Sequence, residues 1–259
     1  MRLLSWNCRG LGNPCTVREL LLLIKEQDPA VLFLSKTRLD IIGVEILRVK
    51  IKFSGAFCVP QLHTGGGWAM LWNDKVMLNI STYSCNHIDA DVVEKMTGKS
   101  FRVTGFYGNT ETHKRKASWA LPKHLSSSSN SPWVCMGDFN EIFDNRERLG
   151  RGWHPSWQME DFRQAVVHCE LHDLGFQGNP FTWRNKQKDE AFVMGRLDRV
   201  FALVPWISEF DGASVQHMAW QNSDHCPVLL SSLMSLRLGG IRRCSGLKPC
   251  GPKRRSAVR

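Results

Sequence analysis

Apolar and polar positions alternate along the chain first with the period of a strand and then with that of a helix. Residues 2–8, RLLSWNC, read as an opening strand ending at Trp6-Asn7-Cys8. Gly10, Gly12 and Pro14 mark a loop. Thr16 and Glu19 have capping-box spacing, and Val17, Leu20, Leu21 and Ile24 form one helical stripe after them. Pro29 closes that helix. Residues 30–35, AVLFLS, are a second strand, followed directly by Lys36-Thr37. Beyond it the pattern turns β-rich, with short apolar runs at 55–60, 68–72, 76–81 and 101–107 between turn residues. Gly65-Gly66-Gly67 reads as a turn rather than a phosphate cradle, since no helical pattern follows it. Residues 111–125 read as a helix limited by Pro122, and 126–129 as a polar loop. Residues 133–139 are a strong strand running into Gly137-Asp138-Phe139-Asn140. A helix over 158–169 and strands at 181–184, 196–201, 214–218 and 228–230 complete the pattern. No repeat is visible. A strand–helix–strand half followed by a mixed half predicts an α/β fold, a four-layer α/β sandwich of two packed mixed β-sheets flanked by helices. The domain is expected to span residues 1–232.

Composition supports a packed core: 259 residues, 42% hydrophobic, with 10 Trp and 13 Phe. That is enough for one large domain or two small ones. No apolar run reaches the roughly 18 residues of a membrane span, so no membrane association is expected. The N-terminal apolar stretch is too short for a signal peptide. Nine cysteines, an odd number without a CxxC pair, fit reduced thiols in an intracellular protein. His168 and His172 have the i, i+4 spacing of a zinc pair on a helix, but the Glu that zinc hydrolases place beside the first His is absent.

The net charge of +10 invites a nucleic-acid partner, yet its distribution changes that picture. Residues 237–259 hold eight Lys/Arg and no acid, which leaves 1–236 nearly neutral with 26 basic and 24 acidic residues. Residues 233–259 therefore read as a basic, disordered tail, in which Lys253-Arg254-Arg255 has the composition of a nuclear signal. Inside the domain, His113-Lys114-Arg115-Lys116 is the one basic cluster; it reads either as a phosphate contact or as a solvated helix start.

Several polar residues follow or precede apolar strands directly: Asn7, Lys36, Asp138 with Asn140, Asp198, and Asp224-His225. Carboxylates and carboxamides at strand ends suit a hard oxygen-loving cation such as Mg²⁺. An Asp–His pair suits acid–base work or charge stabilisation. Each alone is equally ordinary turn chemistry.

Together the motifs Trp6-Asn7, Leu34-Ser35-Lys36-Thr37, Gly105-Phe106-Tyr107-Gly108, Gly137-Asp138-Phe139-Asn140, Arg196-Leu197-Asp198-Arg199 and Ser223-Asp224-His225-Cys226-Pro227 resemble the endonuclease/exonuclease/phosphatase superfamily, with its DNase I-like fold. The stretches SWNCRGLG, NHIDADV, GFYGNTETHKR, PWVCMGDFNEI and SDHCPVLL are similar to endonuclease domains of plant LINE-type (non-LTR) retrotransposons. The resemblance implies a Mg²⁺-dependent phosphodiesterase (Mn²⁺ being the alternative ion) that nicks DNA, or RNA, and needs no obligate protein partner. It implies nuclear residence as well. Asp138 would activate the attacking water, Asn140 would hold water or phosphate, and Tyr107 would bond a phosphate oxygen. His225, oriented by Asp198, would stabilise developing charge. Asn7 and Asp224 would position the metal, and Lys114, Arg115 and Lys116 would touch nucleic acid.

One departure stands out. The family pattern at residues 35–37 is Ser-Glu-Thr, its Glu being the main metal ligand, whereas this chain has Ser35-Lys36-Thr37. Two unit charges 4 Å apart interact by about 4 kcal/mol at an effective dielectric near 20, and a dication facing Lys⁺ roughly doubles that. Metal affinity is expected to fall and catalysis to be impaired. Two further readings follow: a non-catalytic nucleic-acid-binding remnant of the fold, and an ammonium that takes the place of the metal against phosphate. A phosphatase for phosphoinositides or sphingomyelin fits the superfamily but not the retrotransposon-like stretches.

Overall fold

A computed structural model describes residues 1–60, 66–220 and 222–232. The basic tail and Gly65 lie outside them. In chain order the elements are β1 (Arg2–Asn7), α1 (Pro14–Gln27), β2 (Val31–Ser35), α2 (Ile41–Lys50), β3 (Gly55–Val59), β4 (Trp68–Trp72), β5 (Val76–Ser84), β6 (His87–Glu94), β7 (Ser100–Tyr107), α3 (Thr112–Ser118), α4 (Ala120–Ser127), β8 (Trp133–Asp138), β9 (Arg148–Leu149), α5 (Ser156–His168), β10 (His172–Asp173), β11 (Trp183–Arg184), β12 (Met194–Gly195), β13 (Asp198–Ala202), α6 (Val204–Glu209), β14 (Ser214–His217) and β15 (Val228–Ser231).

Two six-stranded mixed sheets carry the fold, one ordered β14-β15-β1-β2-β4-β3 and the other β10-β13-β8-β7-β6-β5. Their central strands are buried on both faces, so each face has its own partner. Leu3, Phe33, Met70, Val103, Val134, Met136, Val200 and Leu230 fill the layer between the sheets. The opposite residues of the first sheet, such as Leu4, Trp6, Leu32 and Leu34, pack on Leu20 and Leu23 of α1 and Val44 and Leu47 of α2. Phe106, Cys135 and Phe201 of the second sheet pack on Trp119, on Leu125 of α4 and on Phe162 of α5. The result is the expected four-layer sandwich. Trp206 and Phe210 close one end of the inter-sheet layer against Phe101, at the start of β7. The end where β1, β7 and β8 finish stays open. No helix among the described residues is long and apolar enough to cross a membrane.

Local chemistry departs from the expected pattern in five places. Helix α1 is capped by Asn13, whose Oδ1 accepts from Cys15 N at 2.9 Å, with Pro14 in the first turn. Glu19 makes no capping box; it is buried and accepts from Asn222 across the fold. Helix α2 was not anticipated because Ile41, Ile42, Ile46 and Val49 are exposed, which blurs its stripe; its cap is Asp40, accepting from Gly43 N at 2.7 Å. Strand β6 hides its alternation because Asp89 is buried within the sheet, paired with Arg102 at 2.8 Å. The single helix expected over 111–125 is two, separated at Trp119, whose buried ring stacks on Phe162. Pro122 sits in the first turn of α4, where a missing N–H costs no bond. Finally, α5 ends at His168 while His172 lies in β10, so the two imidazoles share no helix face and form no ligand group among the described residues.

The two sheets approach closely where Gly105 faces Phe33. A Cβ at Gly105 would stand 2.1 Å from the ring. Gly105→Ala is expected to destabilise the fold by about 1–3 kcal/mol through overpacking. Phe33→Leu in the same background should recover part of the loss. Denaturant midpoints of the single and double variants check this, and strictly additive losses would contradict it.

Candidate active site

Period-two alternation and strand register assemble the site. Along β1, Leu3 faces the inter-sheet layer and Trp6 the helices, so Asn7 continues the inward row. Along β8, Val134 and Met136 face inward, and so does Asp138 after them. Parallel pairing sets Tyr107 opposite Asp138, and antiparallel pairing sets Asp198 opposite Asp138. Three strands thus place a phenol and two carboxylates in one row at the open end of the layer. Gly137 permits this: its φ is +148°, and a Cβ there would meet Phe106 O at 2.0 Å.

Hydrogen bonds lock the floor. Asn7 Nδ2 donates to Asp138 Oδ2 at 2.9 Å and lies 3.2 Å from His225 Nε2. His225 Nδ1 is 2.8 Å from Asp198 Oδ2. The indole of Trp6 donates to His225 O, and Ser223 Oγ donates to Asn7 O, tying the His225 turn to β1. Thr182 Oγ1 accepts from the backbone N–H of Leu197 and Asp198. Asp198 faces the site, while Arg199 beside it is fully buried on the other face and bonds Asp173 Oδ2 at 2.7 Å and Glu147. Asn140 N donates to Asp138 Oδ1 at 3.0 Å, and its Nδ2 to Gly108 O at 2.8 Å. Burial alone would lower the pKa of His225, but Asp198 and Asp138 outweigh it and hold the imidazole above its ordinary 6.5. Burial, reinforced by Asp138, pushes the Tyr107 phenol up. Tyr107 stacks on Trp68 with centroids 4.5 Å apart, and its hydroxyl is buried without a hydrogen-bond partner.

A cavity of about 270 Å³ opens above this floor, with Asn7, Tyr107, Asn140 and His225 on one side and Arg9, Lys36, Arg115 and Arg148 around it. Three non-glycine residues leave their strands in the left-handed region: Arg9 (φ 56°), Lys36 (φ 53°) and Asn140 (φ 54°). For Arg and Lys this costs roughly 1–2 kcal/mol each. The neighbouring ladder bonds hold the geometry, Cys8 N donating to Ser35 O and Thr37 N to Gly67 O. Arg9 was not anticipated. Its Nε donates to Asp224 Oδ1 at 2.7 Å and its Nη2 to Oδ2. Burial would raise the Asp224 carboxyl, but Arg9 holds it below the usual carboxylate range. Lys36 is half-buried, with Nζ 5.2 Å from the Tyr107 ring centroid. Burial and the nearby Arg9 lower its pKa, against the pull of Asp138 and Asp224. Of the basic cluster, Arg115 reaches the cavity wall but bonds Glu141 and Gln158. Lys114 pairs with Glu111, and Lys116 is exposed on α3.

Two positions bear on a metal. Asp138, Asp198 and His225 bring one ligand atom each within 4.8 Å of one another, so this buried cluster could hold an ion. The position between Asn7, residue 36 and Asp224 does not fit a hard dication. Asp224 is engaged by Arg9, and the Lys36 ammonium adds positive charge beside it.

A mixed two-sheet sandwich with a carboxylate–imidazole pair at its open end is the class of DNase I-like phosphoester hydrolases. The model of the Endonuclease/Exonuclease/phosphatase family matches residues 4–209, and the chain belongs to that family. Among solved structures it is similar to a 3'-5' exonuclease from Neisseria meningitidis, at 19% identity and a TM-score of 0.68 over 90% of this chain and 99% of that one. An AP endonuclease from Leishmania major gives 15% and 0.67 over 88% and 86%. The endonuclease domain of TRAS1, a telomere-specific non-LTR retrotransposon, gives 11% and 0.62 over 90% and 99%. Such identities establish the shared fold. No curated protein matches the chain.

Replacing Asp198 with Asn should lower the His225 pKa, read by NMR titration of its imidazole. Burial raises the Asp198 carboxyl to about 6 while its partner holds the imidazole above 6.5, so the charged pair exists between the two values. The stability lost in the variant should be largest near neutral pH and shrink at lower pH as Asp198 takes a proton and at higher pH as His225 loses one. An unchanged imidazole pKa would contradict the pairing.

Proposed function

We propose that the chain is the endonuclease domain of a plant LINE-type retrotransposon, a DNA phosphodiesterase whose catalytic step is impaired by Lys36. Residues 1–232 form the domain and the remainder a basic appendage. Action on chromosomal DNA carries nuclear residence with it. The observation that carries the phosphodiesterase reading is the contact chain Asn7–Asp138 and Asn7–His225–Asp198 at the cavity floor; the retrotransposon reading rests on the resemblance of the sequence motifs.

In this reading Asp138, held by Asn7 and by Asn140 N, takes the proton of the attacking water. Asn140 marks one wall of the phosphate position. His225, whose pKa Asp198 and Asp138 raise, faces the oxygen on which charge develops. Tyr107, whose hydroxyl lacks a protein partner, donates to a phosphate oxygen. The water oxygen bonds to phosphorus, the P–O3′ bond breaks, and the leaving oxygen takes a proton to become a 3′-hydroxyl. Mg²⁺, or Mn²⁺ in its place, would supply counter-charge to the phosphate, and Lys36 disfavours either ion beside Asn7 and Asp224.

Nicking of supercoiled plasmid in Mg²⁺ tests the proposal. The natural protein should be slow, Lys36→Glu faster, and Lys36→Glu/Asp138→Ala slower than Lys36→Glu by about 10²–10⁴-fold, the range of general base catalysis. Rapid nicking by the natural protein, abolished by Asp138→Ala alone, would show that Lys36 does not impair the site. Absence of nicking by all three folded proteins would overturn the assignment of these roles.

A further inference from the structure

We infer that the cavity holds a nucleic-acid phosphodiester without a divalent cation, the Lys36 ammonium supplying the positive charge there. The inference rests on the nucleic-acid reading of the site and goes beyond it by assigning the counter-charge to the protein itself.

The first support is the charge of the wall. Arg9, Lys36, Arg115 and Arg148 line the cavity, whereas Glu141 is its one lining carboxylate. Glu141 is already paired with Arg115 and His154. Asp138, Asp198 and Asp224 do not line the cavity, and each is bonded to a neighbour. Lys36 and Arg148 make no ion pair among the described residues. Arg9 and Arg115 are paired with Asp224 and Glu141, so the positive charge left over at the wall is that of Lys36 and Arg148, which repels a dication and attracts a phosphodiester.

The second support is independent of charge. The Tyr107 hydroxyl is buried, lines the cavity and has no hydrogen-bond partner. A buried O–H without an acceptor is costly, so the site is completed by an acceptor oxygen brought from outside. Phosphate oxygens supply one. Lys36, lying over the Tyr107 ring, stands beside the same position. Lysine acts there as a compact point charge with three donors, suited to a single phosphate oxygen. Its left-handed backbone also turns the chain sharply at the end of β2, beside the mouth of the cavity.

The test is fluorescence anisotropy of a labelled duplex oligonucleotide with the full chain in EDTA and in Mg²⁺. The basic tail contributes equally to every variant, so differences between variants report the cavity. The natural protein should bind equally well in both buffers. Lys36→Met should weaken binding in EDTA about tenfold, the scale of a lost charge-assisted hydrogen bond, and should reduce the slope of log K against log salt by about 0.9. Lys36→Glu should bind weakly in EDTA and regain affinity in Mg²⁺. Natural protein that binds only in Mg²⁺, or Lys36→Met that binds like the natural protein, would overturn the inference and leave the nucleic-acid reading standing. Folded natural protein that binds in neither buffer would overturn both.

Discussion

Everything at the site depends on the register in which β7, β8 and β13 pair. Tyr107, Asp138 and Asp198 lie side by side only because the parallel and antiparallel ladders meet at Asp138. A one-residue slip would turn all three side chains out of the inter-sheet layer and push Phe106, Cys135 and Phe201 into it. The aromatic packing of Phe106, Phe139, Phe162 and Phe201 on the outer face of the sheet therefore holds the register as much as the hydrogen bonds do. Position and stability come from the same alternation.

The charge at residue 36 is set apart from that framework. Lys36 sits at the rim, half-buried, where its stem covers Tyr107 and its head faces the cavity. No apolar core contact depends on it. The fold accepts either sign of charge at this position; against a dication the difference between Glu and Lys is an attraction replaced by a repulsion, each of several kcal/mol by Coulomb's law at an effective dielectric near 20. Arg9 adds to the effect by neutralising Asp224. The site combines a buried Asp–His pair with a positively charged rim.

Much of this was legible from the chain alone. The inward residues at strand ends could be read because strong apolar runs, LLSW, VLFLS and WVCM, precede them and count down to Asn7, Lys36 and Asp138. What failed had local physical causes. Helix α2 presents isoleucines to solvent, and β6 buries an aspartate, so hydrophobicity misreports both. The capping box was formally present but lost to Asn13, because Pro14 favours a helix that starts earlier. Arg9 could have been found: it is two residues past Asn7, next in the row Leu3, Ser5, Asn7. Its pairing with Asp224, 215 residues away, is a property of the fold. His168 and His172 illustrate the opposite error, a spacing that suits a metal only if the helix continues.

The most direct measurement is the uptake of Mn²⁺, as a paramagnetic stand-in for Mg²⁺, followed by the EPR signal of the free ion. The account predicts that Lys36→Glu removes one equivalent more of the ion than the natural protein, since the Asp138, Asp198 and His225 cluster is the same in both. Stoichiometric uptake by the natural protein, equal to that of Lys36→Glu, would contradict the claim that Lys36 takes the place of the metal.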